Sequence, residues 1–419
     1  MRQHLAVYRQ LPGQTYLLSA GEFMLHLVNS AFLLIFNIYL SKLGYADSLI
    51  GSLTSMRYLG VLLAAIPIGL YIRGRLLRPL FLISGVGLPL VSCLLLWVVP
   101  WQVWSLTLGL MFLWGLLFVL MQVCIQPYMI RQVPPAHYAE AFALHYAVVP
   151  LSQVAAGGLI ALAGIWMNPV PDERIILLGI SGLGLLSVFF FARLQDNLGA
   201  STHPHTLNLR SLRGSYQWRR ILRALIPTLL LATGAGFTFP FINLFFYQVF
   251  GIDSGAFGLM GAGSSLLVFG MVVAGPALKR QFGFGWTISG SQAIAVLLLI
   301  GLALCQLYGT AGWALPTAIV LFLFRAPLMK LAQPMAGELT ILYVGPRNRE
   351  IISAFTSSIW SGSWVIGSQL FALLRAYQLP YWQIFLFTAA MYTLGILAYA
   401  RLIQAVGRMP KAEASDPLN

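Results

Sequence analysis

The chain reads as long apolar stretches separated by short polar breaks. Hydropathy places helices at 14–40, 47–71, 79–99, 102–127, 137–166 and 174–194, then at 221–249, 254–277, 285–307, 312–333, 349–375 and 381–403. Each is about 20 residues or longer, the length that crosses the hydrocarbon core of a bilayer. The runs are continuously apolar rather than alternating, which disfavours a β-barrel. The predicted fold is therefore an all-α polytopic membrane protein with twelve transmembrane helices. Closely spaced aromatics at helix ends, such as Trp97, Trp101 and Trp104, or Tyr381 and Trp382, read as interfacial belts.

One long hydrophilic interruption, QDNLGASTHPHTLNLRSLRGSYQWRR at 195–220, divides the chain. Shifting the second half back by 207 positions lays Gly251, Gly258, Gln333 and Pro334 on Gly44, Gly51, Gln126 and Pro127. The surrounding words also correspond: FNIYLSKLGYADSLIG with FFYQVFGIDSGAFG, and LMQVCIQP with LMKLAQP. Two duplicated halves follow. The expected organisation is a six-helix bundle at 1–194, a connector at 195–220, a second, pseudo-symmetric six-helix bundle at 221–405, and a tail at 406–419.

Composition sharpens this picture. With 59% hydrophobic and 9% charged residues, a soluble chain is excluded. The formal charge of +14 is distributed by topology rather than gathered for nucleic acid. Of the 25 Lys and Arg, 19 fall on one side once the spans are drawn, among them Arg73, Arg75, Arg78, Arg131, Arg219, Arg220, Lys279 and Arg280. Lys42, Arg174 and Arg375 fall on the other side, and Arg57, Arg325 and Lys330 within spans. That bias predicts a multi-pass inner-membrane protein with both termini and the connector cytoplasmic, the first span being retained. Cys93, Cys124 and Cys305 lie in apolar spans without metal-like spacing, so no metal or cofactor is expected.

Twelve spans as six plus six, a basic central loop and a half-length repeat resemble the major facilitator superfamily of secondary transporters. That family's loop after the second helix usually reads Gly-x3-Asp-Arg-x-Gly-Arg. Here Gly69-Leu-Tyr-Ile-Arg73-Gly-Arg75 keeps the glycine and the basic residues but has Arg73 in the acid's place. The second-half loop, Gly275 to Gly283 with Lys279 and Arg280, again lacks the acid. In the fifth span Gly157-Gly158 is present, but Gln153-Val154 stands where the antiporter signature has Gly-Pro, so drug–proton antiport is not inferred. The resemblance implies that the first, fourth, seventh and tenth helices line a central cavity. It also implies transport by alternating access.

Candidate chemistry concentrates on the first span. Glu22, His26, Asn29 and Asn37 keep to one stripe at 100° per residue, and such a stripe should face other helices or a wet cavity. Glu22 and His26 form a candidate proton-coupling pair; the alternative is a packing contact with Glu22 neutralised by a neighbouring cation. Arg57 and Arg325 lie deep in their spans, where an anionic group on a substrate would pair with them. Against this stands an Arg57–Glu22 bridge with Arg325 satisfied by helix carbonyls. Lys330 is expected to snorkel to the cytoplasmic end. Gln122, Asn243 and Trp360 are candidates for orienting the solute, or for joining helices. Gln126 and Gln333, each before a proline, read as kink residues. Trp364 and Ser357, Ser358, Ser361 and Ser363 share the eleventh span with Trp360. Glu140 and His145 lie near the cytoplasmic start of the fifth span; Glu140 with Arg131 offers an inner gate, against the favoured reading of plain interfacial solvation. The glycine-rich Gly261-Ala-Gly263-Ser264-Ser265 lacks the lysine of a phosphate loop, and no motif of an ATPase or other enzyme is present.

The reading is a proton-coupled secondary transporter of a small organic, anionic solute, acting as a monomer in the lipid bilayer. The alternative is an exporter of amphipathic compounds, drugs or lipids.

Overall fold

The computed structural model describes residues 11–72, 74–134, 137–166, 172–195, 217–345 and 349–408. Arg73, most of the connector, the turn at 346–348 and nearly all of the tail lie outside the described residues, as does the side chain of Ser357. Among the described residues every regular element is helical. The first six helices are α1 (Gly13–Lys42), α2 (Asp47–Tyr71), α3 (Arg78–Val98), α4 (Trp104–Gln132), α5 (Tyr138–Trp166) and α6 (Glu173–Phe191). The next are α7 (Trp218–Phe250), α8 (Ser254–Phe284) and α9 (Ser291–Leu307). The last are α10 (Ala314–Val344), α11 (Arg349–Ala376) and α12 (Tyr381–Gly407). Among the described residues ten stretches are long and apolar enough to cross a membrane, and one of these, Ser254–Leu307, holds both α8 and α9 around a break at Gly283, φ 70°.

Helices run past several of the predicted ends, from 127 to Gln132, from 277 to Phe284 and from 333 to Val344. The apolar pattern stops at Gln126-Pro127 and Gln333-Pro334, but the backbone does not. Proline inside a membrane helix forfeits one hydrogen bond that neighbouring groups replace, so it need not terminate the element. The polar last turns then continue as helix.

Polarity is inverted relative to a soluble protein. Leu63, Ile66, Val273 and Leu297 are more than half exposed, whereas Glu22, His26, Ser30, Ser92, Ser181 and Thr388 are buried. Apolar residues outward and hydroxyls inward is the arrangement that a lipid solvent selects.

The chain divides into two compact units, Met1–Pro204 with Phe246–Ser265, and His205–Phe245 with Leu266–Asn419. Within the first unit α2 and α4 pack most extensively, and glycine permits it. A Cβ on Gly115 would sit 1.9 Å from the backbone oxygen of Arg57, and one on Gly60 would sit 2.2 Å from that of Phe112. Two glycines thus bring the helix backbones into direct contact and fix where Arg57 enters the unit. In the second unit Gly236 of α7 and Gly367 of α11 play the same part, with a Cβ on Gly367 2.7 Å from the Cα of Gly236.

The 207-residue correspondence recurs in the backbone. Gly44 (φ 85°) ends α1 and Gly251 (φ 68°) ends α7, each in the left-handed region that glycine enters without strain. α1 is interrupted by a π-helical stretch at Phe32–Phe36, and α7 by a 3-10 turn at Phe239–Phe241, beginning at matched positions. Asn37 follows the first interruption and Asn243 the second, and both are buried.

Candidate functional site

The α1 stripe faces inward. Glu22 is fully buried, and its partner is one that spacing along α1 could not reveal: His145 of α5. The Nδ1 of His145 lies 2.8 Å from Oε1 of Glu22 and hydrogen-bonds Oε2 at 3.0 Å. His26, one turn along α1, places Nε2 3.5 Å from Oε1. One imidazole thus hydrogen-bonds the carboxylate and the second stands beside it, while Oε1 has no hydrogen-bond partner. His26 stands edge-on to Phe118 of α4, with centroids 5.3 Å apart, so an aromatic wall closes that side. The Nδ1 of His26 is buried without a hydrogen-bond partner. Among the described residues no group of three His, Cys, Asp or Glu is arranged to hold a metal ion.

Arg57 takes no part in this pairing, so the Arg57–Glu22 bridge does not form. Instead its guanidinium donates to Oδ1 of Asn29 and lies 3.8 Å from the centre of the Trp114 ring. Trp114 is held in turn by a 2.9 Å hydrogen bond from Nε1 to Ser92 of α3. An amide oxygen and a π-face stabilise a cation without neutralising it. Four elements thus converge on a buried positive charge: Asn29 on α1, Arg57 on α2, Ser92 on α3 and Trp114 on α4.

The second unit repeats the pattern with different residues. Arg325 of α10 is buried beside Tyr392 of α12 and leaves Nε without a partner. Tyr392 is pressed against Gly234 of α7, where a Cβ would fall 2.8 Å from its ring. α10 continues 14 residues beyond Lys330, about 21 Å at 1.5 Å per residue, and the ammonium of Lys330 donates to Oε1 of Gln333 at 3.1 Å. The helix therefore runs past the end predicted at 333.

The remaining candidates are less engaged. Gln122 and Gln126 are exposed on α4, and Trp360 is half-buried on α11. Trp364, one turn on, meets Phe239 edge-on at 5.6 Å. Asn243 accepts the backbone N–H of Leu244 at 2.9 Å, directly after the 3-10 turn, which ties its oxygen to the local backbone. Arg131 does not pair with Glu140. It donates to the carbonyl oxygens of Arg75 (2.7 Å) and Ile72 (3.2 Å), capping the end of α2, while Glu140 buries an unpartnered Oε2. The acid missing from the second-half loop is supplied from α10, where Glu338 pairs with Lys279. A small cavity of about 180 Å³ lined by Gly44, Tyr45, Leu49, Gln102 and Trp104 lies at two turns, remote in sequence from these groups, and contributes nothing to them.

Apolar helices enclosing buried, partly compensated charges define a polytopic membrane protein. The comparisons with known proteins carry this to a family. The family model of the major facilitator superfamily matches residues 18–368, and the chain belongs to that superfamily. Its fold is similar to that of a mutant of the nucleoside transporter NupG, at TM-score 0.76 and 12% identity, covering 93% of this chain and 100% of that one. It is similar also to a bacterial homologue of the human lysosomal transporter Spinster (TM-score 0.73, 13% identity, 96% and 98% covered). A third likeness is to the D-xylose–proton symporter (TM-score 0.71, 12% identity, 96% and 99% covered). No curated protein sequence matches the chain.

Proposed function

We propose that the protein is a secondary active transporter that moves a small organic anion by alternating access, driven by protons. In this reading the chain makes twelve spans in two pseudo-symmetric six-helix bundles, with both termini on the cytoplasmic side of an inner membrane, and acts as a monomer. One observation carries the anionic substrate. Among the described residues Arg57, Arg325 and Lys330 are charges deep in helices with no carboxylate paired to them, while the one acid at comparable depth, Glu22, is occupied by histidines. An uncompensated buried cation is costly, and a substrate carboxylate or phosphate would offset that cost on binding. Asn29, Gln122, Asn243 and Trp360 are the polar and aromatic groups proposed to orient it.

The proton enters through Glu22 and His26. A carboxylate hydrogen-bonded to an imidazole offers a place to hold a proton inside the unit, and protonation alters the charge that the unit must bury in each facing. A coupling of about 1–3 kcal/mol is enough to bias the two facings.

The test uses the purified protein with a panel of small carboxylates, phosphomonoesters, neutral sugars and lipophilic cations in a thermal-shift screen. Anions are expected to raise the Tm of the wild type and to lose that effect in Arg325→Ala. An anion shift unchanged in Arg325→Ala removes the basis of the assignment. A second reading, export of amphipathic compounds, draws on the aromatic contact of Trp364 with Phe239 beside Trp360. It predicts stabilisation by the lipophilic cations instead.

A further inference from the structure

We propose that His145 is the port through which a proton reaches Glu22, a role that rests on the proton-coupling reading above. Three titratable side chains form the cluster, and they differ in access. The side chain of Glu22 is 0% exposed and that of His26 5%, whereas that of His145 is 15% exposed. A proton cannot jump to a sealed carboxylate; it must pass along hydrogen bonds from a group that meets water. Of the two imidazoles, His145 alone combines a hydrogen bond to Glu22 with an opening to the surface.

Among the described residues, two aromatic rings and a cation turned elsewhere flank the cluster. From α4 the cluster is faced by Phe118, and from α6 by Phe191, whose ring lies against Gly21. Arg57 of α2 is turned to Asn29 and Trp114. On α5 itself Glu140 stands five residues before His145. Tyr146, beside His145 with ring centroids 5.1 Å apart, is well exposed.

The step balances as an ordinary imidazole relay. A proton from water binds Nε2 of His145 and makes the imidazolium. The proton on Nδ1 then passes to Oε2 of Glu22, leaving a neutral imidazole and a neutral carboxylic acid. Release runs the same bonds in reverse and restores the starting tautomer. His26, sealed and pressed against Phe118, acts on the carboxylate from the closed side and shares charge without supplying protons.

The experiment is a pH-jump infrared measurement on the full-length protein in lipid, following the carboxylic C=O stretch that Glu22→Gln removes. In His145→Asn the amide keeps a donor near the position of Nδ1 but cannot relay, and protonation of Glu22 is expected to slow by roughly 100-fold. His137→Asn, at the turn before α5, should leave the rate unchanged. A rate unchanged in His145→Asn overturns the port while leaving proton coupling intact, because Glu22 still titrates. Absence in the wild type of any band that Glu22→Gln removes overturns the coupling reading, and the port with it. Carbethoxylation of the wild type, read by mass spectrometry, needs no variant: His145 should react faster than His26, and the reverse order refutes the assignment.

Discussion

Replacing Gly115 by alanine tests whether the α2–α4 crossing sets the position of Arg57. The new Cβ would lie 1.9 Å from the Arg57 backbone oxygen and 3.3 Å from the Val61 nitrogen. Against the 3.4 Å of ordinary contact that is about 1.5 Å too close, and the obstacle is backbone, which cannot rotate away. The helices must part along the crossing. Overpacking of this kind costs about 1–3 kcal/mol, and a displacement larger than the ~1 Å gap that already forfeits up to half of a dispersion contact puts this site near the upper end. At about 2–4 °C per kcal/mol for a unit of this size, the Tm should fall by roughly 6–12 °C. The assay is tryptophan-fluorescence melting in detergent. Gly109→Ala on the same helix is the control, because nothing lies within 4 Å of its Cβ; it should be neutral or stabilising by up to about 1 kcal/mol. Equal melting of Gly115→Ala and wild type would refute the reasoning, since the crossing would then tolerate a methyl group that the geometry excludes.

Two further outcomes follow from the charge arrangement. Glu22→Gln should retain substrate exchange in proteoliposomes but lose accumulation driven by a proton gradient, and accumulation at the wild-type level would contradict the coupling role. Tyr392→Phe removes the hydroxyl beside the buried Arg325, and should cost about 1 kcal/mol as a lost polar neighbour of a charge. Anion binding should survive that change, because the cation stays in place; its loss would make Tyr392 a ligand rather than a support.

The sequence could show the helices because each carries its own signal, a long apolar run whose length matches the bilayer. It also showed that the α1 stripe turns inward, since 100° periodicity is local. It could not show what meets that stripe. His145 lies 123 residues from Glu22, and near the predicted start of its span it looked like an interfacial residue. The α2–α4 crossing was equally hidden, because Gly60 and Gly115 become informative only once the opposing backbone is known. The end of α10 was hidden for a different reason: hydropathy ended it at Gln333-Pro334, whereas the helical backbone continues to Val344.

The same 207-residue offset that aligns the halves also aligns a contact whose polarity is reversed. Ile72 corresponds to Lys279 and Arg131 to Glu338. In the first half the α4 side chain is the cation, donating to carbonyls at the end of α2; in the second the α10 side chain is the anion, pairing with a lysine on α8. Both contacts join equivalent helices at equivalent points, so the position has been kept while the chemistry has changed. The energetics should differ accordingly. Arg131 completes carbonyls that the helix leaves open, one of them partly buried, and Arg131→Ala should cost about 1–2 kcal/mol, the lower part of the range for hydrogen bonds to charge because the site is half in water. Lys279 and Glu338 are 26% and 46% exposed, and an exposed pair contributes about 0–1 kcal/mol that salt screens further. Melting of Arg131→Ala and Glu338→Ala at low and high salt separates the two. The first should be destabilised at both salt concentrations, and the second barely and only at low salt. A Glu338→Ala loss equal to that of Arg131→Ala would mean that the second-half pair is structural after all, and that the two loops share one energetic role despite their opposite charges.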